Sequence, residues 1–250
     1  MLITRPFRSS NSMVTFALTK KLYWEKPYSQ DFTAKIVGSD GTRVELDQTL
    51  FYPRGGGVSC DTGVLGDMKV EETSKDGDRI LHTLESPPNF AVGQSVTGKI
   101  DWDRRHRLMR MHTAGHVLSA LFYSGAKCLI TGNQIDVDRS RMDFSLEVFD
   151  RSQIEDFVKE ANKLITNDAP VKSYFLDRSE ALKIPEMVKL AEAAPPVEAQ
   201  LRIVEIAGID RQADGGLHVA HLKEIGRIEL LKLENKGKTN RRLYYHVTNA

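Results

Sequence analysis

The stretch Asp101-Trp-Asp-Arg-Arg-His-Arg-Leu-Met-Arg-Met-His-Thr-Ala-Gly-His-Val-Leu-Ser-Ala-Leu-Phe-Tyr123 divides the chain into two patterns. Asp101 or Asp103 can cap a helix running from Arg104 to about Tyr123, along which Leu108, Met111, Gly115, Leu118 and Phe122 recur at helical spacing. Upstream, from residue 14 to 100, short alternating runs are separated by turn chemistry. Phe32–Val37, Arg43–Leu46, Met68–Glu71, Arg79–Leu84 and Gln94–Ile100 read as strands, with turns at Ser39-Asp-Gly41 and Ser74-Lys-Asp-Gly77. Strands this short at this spacing predict a small β-barrel.

Downstream, helices and strands mix without a repeated βαβ unit. Strands are expected at 133–137 and 141–146, then a helix from Ser152 to Thr166 with Ile154, Phe157, Val158, Ala161, Leu164 and Ile165 on one stripe. Val171–Leu176 is strand-like and Ser179–Glu192 mostly helical, with a break at Pro195-Pro196. Leu201–Ile206, Arg227–Leu233 and Arg242–Val247 read as closing strands. The expected class is α+β: an extension over residues 1–13, a barrel over 14–103 that includes a glycine-rich motif, and a two-layer α/β sandwich with an antiparallel sheet over 104–250.

Composition narrows the function classes. Among 250 residues, 40% are hydrophobic and 28% charged, typical of a globular protein rather than a disordered or collagen-like one. No uncharged apolar run approaches the roughly 18 residues of a membrane span, so no membrane role is expected. Cys60 and Cys128 are the only cysteines, too few for a disulfide framework or a four-cysteine metal site. A reducing compartment, the cytoplasm, fits. Arg5, Arg8 and three serines give residues 1–12 a transit-peptide flavour, but Pro6 interrupts any helix there; Met13 as the functional start is the favoured reading.

The net charge of +1 conceals clustering. Arg104, Arg105, His106, Arg107 and Arg110 form one basic group; Lys232, Lys236, Lys238, Arg241 and Arg242 form another around Glu234. Such groups suit phosphate contacts, although solvated charged faces read the same way.

Three elements could carry chemistry. His112 and His116, four apart on a helix, project from one face and can share a metal ion. No Glu follows His112, so this is not the metalloprotease helix. Gln212-Ala-Asp-Gly-Gly-Leu-His218 offers Asp214 and His218 beside a glycine pair that lets backbone or ligand approach, or forms a simple turn. Phe51-Tyr-Pro-Arg-Gly-Gly-Gly-Val-Ser-Cys-Asp-Thr-Gly63 lacks the spacing of a nucleotide loop and suits close approach of another chain, or a barrel kink.

In sequence order these elements resemble the AlaX family in its medium-length form, free-standing relatives of the alanyl-tRNA synthetase editing domain. The likeness runs from Thr19 to the end, through Thr19-Lys-Lys-Leu-Tyr-Trp24, Phe51–Gly63, Asp101–Arg105, Met111–His116, Asp136–Phe144, Asp210–Val219 and Lys236–Arg242. It implies a translation-protein-like barrel followed by a threonyl/alanyl-tRNA synthetase editing-like sandwich. It also implies a Zn2+-dependent hydrolase that deacylates alanine tRNA charged with serine, chiefly, or glycine; a monomer without stable protein partners is expected. The implied ligands are His112, His116, His218 and Asp214, with Asp214, Gly215 and Gly216 around the reaction. Gly55, Gly56, Gly57, Ser59 and Thr62 are implied to meet the substrate. Arg104, Arg105, Arg107, Lys236, Lys238, Arg241 and Arg242 are implied to meet tRNA.

This chain departs from the family pattern. Asp214 stands where a cysteine is usual, Leu217 where a threonine is, Arg54 in place of an acid, and Val58-Ser59 in place of Gln-Pro. Asp214 can therefore be a ligand, or zinc can keep three histidines and water, or the site can be metal-poor. Gln212 or His221 can assist. A tRNA-binding module with a degenerate site, and a deacylase for another mischarged tRNA, are the rival readings.

Overall fold

The computed structural model describes residues 18–148, 150–184, 187 and 198–249. The chain forms two compact units, one comprising the residues up to Gly55 with Cys60–Arg105, the other Gly56–Ser59 with His106 onward. The residue 1–13 extension and half of the helix expected over Ser179–Glu192 lie outside the described residues.

The first unit contains β1 (Lys20–Lys21), α1 (Leu22–Glu25), β2 (Asp31–Asp40), β3 (Arg43–Leu46), β4 (Gln48–Thr49), β5 (Gly63–Leu65), β6 (Met68–Asp76), β7 (Arg79–Leu84) and β8 (Ser95–Ile100). Six of these strands pair antiparallel in the order β2-β3-β7-β6-β5-β8 and close into a barrel. Period-two alternation decides what fills it: Val96, Gly98 and Ile100 of β8 and Ala34, Ile36 and Gly38 of β2 are buried while their neighbours are not. The expected Ser74–Gly77 turn is tighter than read. Asp76 pairs with Arg79, so β6 continues through Asp76 and only Gly77 and Asp78 turn.

Two polar groups are buried in this unit. Arg105, 1% exposed, pairs with Asp61 and donates to the Leu50 and Pro27 carbonyls. Asp61 in turn accepts from the Tyr52 backbone N–H at 2.6 Å. His82, fully buried, faces Thr49 Oγ1 through Nε2 at 2.8 Å and the Val44 carbonyl through Nδ1 at 3.2 Å. Burial, opposed by the Val44 hydrogen bond, pushes its pKa down from 6.5 to about 4. Between those values the unfolded chain takes up a proton that the folded chain refuses. The His82 contribution is therefore full above pH 6.5 and is lost as pH falls toward 4, by about 1.4 kcal/mol per unit and about 3 kcal/mol in all. Urea midpoints between pH 7 and 4 should fall more steeply for wild type than for His82→Asn; parallel profiles would contradict this.

The second unit contains α2 (Trp102–Ala126, from His106), β9 (Ile130–Gln134), β10 (Ser140–Ser145), α3 (Arg151–Thr166), β11 (Val171–Asp177), α4 (Arg178–Ala181), β12 (Gln200–Ile206), β13 (Asp210–Ala213), β14 (Arg227–Asn235) and β15 (Asn240–Thr248). Two antiparallel sheets result, β14-β15-β10-β9 and β11-β12-β13. Asp150 caps α3 by accepting from the Ser152 and Gln153 N–H groups, and Ile154, Val158, Ala161 and Ile165 bury its inner stripe. At the free edge of β14 the Asn162 amide both donates to and accepts from the Ile228 backbone, satisfying groups that a strand edge otherwise leaves open. Leu108 through Ala120 of α2 are buried on every face, which makes it the unit's central helix. Tyr245 of β15 donates to the Met111 carbonyl on one side of α2, and Thr113 reaches the chain around His218 on another.

Candidate metal centre

His112 and His116 face one direction from α2, their ring centroids 5.0 Å apart. The segment after β13 brings Asp214 and His218 to them, the His218 ring stacking on His112 at 4.3 Å. One ligand atom from each of His112, His116, Asp214 and His218 lies within 4.8 Å of the other three. Asp214 Oδ2 is 3.6 Å from His112 Nε2 and 3.9 Å from His116 Nε2, and Oδ1 is 3.3 Å from His218 Nε2. A tetrahedral site with bonds of about 2.0–2.2 Å has ligand–ligand edges of about 3.3–3.6 Å, so the spacing suits one small ion. The imidazoles are buried and the carboxylate is partly exposed, leaving the cluster open on the Asp214 side.

The hydrogen bonds behind these side chains decide where the protons sit. Thr113 Oγ1 donates to the Met109 carbonyl and so accepts from His218 Nδ1, 3.1 Å away. His116 Nδ1 lies 3.0 Å from Asp210 Oδ2 and 2.9 Å from Gln212 Nε2; a carboxylate only accepts, so the ring N–H donates to Asp210. Both rings therefore carry their hydrogen on Nδ1 and turn a bare Nε2 toward Asp214. Burial pushes His112 down to about 4 against the pull of Asp214, and holds His218 well below 6.5 together with the neighbouring imidazoles. Burial opposes ionisation, yet the imidazole surroundings of His112, His218 and His116 keep the Asp214 carboxyl well below its ordinary value, so the cluster retains a carboxylate. Two bare Nε2 atoms, those of His116 and His218, thus face Asp214 beside the His112 ring, a donor set that a divalent cation completes.

The loop is held from behind. Arg202, buried in β12, donates to the Asp214 and Gly216 carbonyls and to Ser173 Oγ. The Gly216 N–H donates to Asp214 Oδ1 at 2.6 Å. A Cβ on Gly216 would come within 2.3 Å of His112 Cε1, so the glycine is there because the ring is. Gln212 donates to Asp210 Oδ2 at 2.9 Å, whereas His221 is exposed beside Asp168 and outside the cluster. Thr113 and Asp210 fall inside the motif stretches but nothing in the sequence gives them a role; for Arg202, a lone arginine within Leu201–Ile206 is the one visible hint. Asp210→Asn should weaken metal binding by about 10–100-fold, as removing outer partners of ligating histidines does, with the fold retained. Chelator competition checks this; unchanged affinity would contradict the assigned proton position.

The other site residues divide. Gly56–Ser59 belongs with the second unit rather than with the barrel it was expected to join: Ile135 N–H donates to the Gly57 carbonyl and Ser59 N–H to the Ile135 carbonyl. Gly57, at φ +80°, has the Asn133 side chain where a Cβ would stand. Gly55 and Thr62 lie in the first unit. Arg105 and Arg241 are corrections to the phosphate reading. Arg105 is consumed by Asp61 and two carbonyls; Arg241, 3% exposed, donates to Glu147, Gly237, Lys238 and Asn240 carbonyls. Neither has a solvent-facing guanidinium. Arg104 donates to the Cys60 carbonyl, Arg107 to the Val137 carbonyl, and Arg242 pairs with Asp143 at 2.6 and 2.8 Å. Lys236 and Lys238 are exposed, Lys236 pairing with Glu234.

Residues 201–244 match the family described as Threonyl and Alanyl tRNA synthetase second additional domain, and residues 11–104 match tRNA synthetases class II (A). With the antiparallel sheets and the histidine-rich cluster, this is the class of synthetase editing domains. The chain is 46% identical over 236 residues to "Alanyl-tRNA editing protein AlaX-M" of Saccharolobus solfataricus, covering 92% of this chain and 99% of that one. It is 41% identical to the protein of the same name from Methanosarcina barkeri, covering 91% and 98%. Against "Alanine--tRNA ligase" of Hyperthermus butylicus the identity is 38%, over 88% of this chain but 24% of the ligase. The chain belongs to the AlaX-M family.

Proposed function

We propose that this chain is a free-standing aminoacyl-tRNA deacylase, a carboxylic ester hydrolase that clears alanine tRNA of serine chiefly and of glycine secondarily, with Zn2+ as its metal. The observation that carries this reading is the convergence of His112, His116, His218 and Asp214 in a chain that aligns with alanyl-tRNA editing proteins along almost its whole length. Zinc held by these four residues supplies positive charge that polarises an ester and acidifies water. Asp210 and Thr113 keep the His116 and His218 protons on Nδ1 and the Nε2 lone pairs inward. Gly216 steadies Asp214 Oδ1, leaving Oδ2 as a ligand atom or as an acceptor for a water proton. Arg202 fixes the same loop.

In this reading Gly215 and Gly216 leave room for the terminal adenosine, and Gly55–Gly57, Ser59 and Thr62 meet the amino acid. Lys236 and Lys238, with Arg104, Arg107 and Arg242 after exchange of their present partners, take acceptor-stem phosphates. The barrel unit and the editing unit, the latter carrying Gly56–Ser59, are the working modules of a cytoplasmic monomer. The test is serine release from purified Ser-tRNA(Ala). Release that stops with chelator and returns with zinc is expected; intact substrate at high enzyme concentration in added zinc would sink the proposal.

A further inference from the structure

The donor set of the cluster contains no sulfur. It comprises three imidazole nitrogens and one carboxylate, with Asp214 Oδ1 standing 3.3 Å from His218 Nε2. Cys60 and Cys128 are buried and neither is in the cluster. Resting on the metal-dependent reading of this same site, we propose that the centre is a thiolate-free divalent-cation site that accepts harder ions, Mn2+ and Co2+, alongside Zn2+ and stays loaded under thiol-oxidising conditions.

Two arguments carry this. Carboxylate and imidazole suit manganese and cobalt as well as zinc, whereas thiolate favours softer ions. Asp214 is also the one member of the cluster with a net charge, so changing its donor atom changes softness while leaving the ligand charge at −1. Moreover, a metal-binding thiolate is open to peroxide: one peroxide oxygen passes to sulfur to give sulfenate, and the other leaves as water. A carboxylate has no such reaction. The hydrogen bonds that hold it, from Gly216 N–H to Oδ1 and from Arg202 to the Asp214 carbonyl, involve no oxidisable atom either.

The test uses the metal alone, without tRNA, so its outcome is separate from whether the protein deacylates. Apo protein is titrated with Zn2+, Co2+ and Mn2+ against a competing chelator, for wild type and Asp214→Cys, before and after peroxide. Asp214→Cys is expected to raise the zinc-to-manganese affinity ratio at least tenfold and to shed metal after peroxide, while wild type retains it. An equal ratio in the two proteins overturns the softness argument. Should Asp214→Cys fail to fold, wild type decides by itself. Mn2+ binding by electron paramagnetic resonance and unchanged zinc content after peroxide are expected. No Mn2+ binding at millimolar concentration, or zinc lost on oxidation, overturns the proposal.

Discussion

His116→Ala is expected to leave the protein folded but unable to retain metal after dialysis, with serine release reduced beyond the roughly 10–100-fold that outer-shell partners cost. In the proposed site the ring is both a metal donor and the point where Asp210 enters the cluster, through the 3.0 Å contact at Nδ1. Removing it leaves two imidazoles and Asp214, and leaves the buried Asp210 carboxylate with Gln212 in place of the lost imidazole N–H. Asp214→Ala separates two roles. A ligand's loss lowers metal content and turnover together, whereas loss of a water-holding group lowers turnover with most metal kept. Metal analysis beside deacylation rates on both variants checks the prediction; full metal content in His116→Ala would contradict it.

The largest stability effect is expected at Asp61. Asp61→Ala should destabilise the first unit by about 3–5 kcal/mol, because it strips the carboxylate from a guanidinium that has no water to turn to. Arg105 would keep only the Leu50 and Pro27 carbonyls, and the Tyr52 N–H would lose its acceptor. Asp61→Asn should cost less, since an amide oxygen can still accept from Tyr52 and Arg105. Urea denaturation followed by tryptophan fluorescence measures this, with Trp24 and Trp102 both in the first unit. A loss below about 1 kcal/mol in Asp61→Ala would contradict the buried-pair reading.

These two sites show what sequence could reveal. His112 and His116 were legible because helical spacing alone puts both rings on one face, and Arg43–Leu46 and Arg79–Leu84 were legible because alternation and turn residues agree. Asp210–Ala213 was not. Asp-Arg-Gln-Ala has no apolar alternation, and it is strand because it pairs with Ile203–Ile206 of β12. With that strand unread, Asp210 gave no sign of reaching His116, ninety-four residues earlier in the chain. Charge was the other blind spot. Arg105 and Lys238 read alike in sequence, yet one is enclosed by carbonyls and a carboxylate and the other faces water, because only distant partners decide which arginine is buried. The stripe on α2 was likewise only half the truth. Apolar spacing marked one face, while residues from Leu108 to Ala120 are covered all round by partners far away in the chain.

The most direct measurement is metal stoichiometry coupled to turnover on the wild-type protein. After incubation with zinc and dialysis, one ion per chain is expected, and serine release from Ser-tRNA(Ala) should rise and fall with that occupancy as chelator is added and withdrawn. Protein that remains metal-free after zinc incubation, yet releases serine at full rate, would contradict the account.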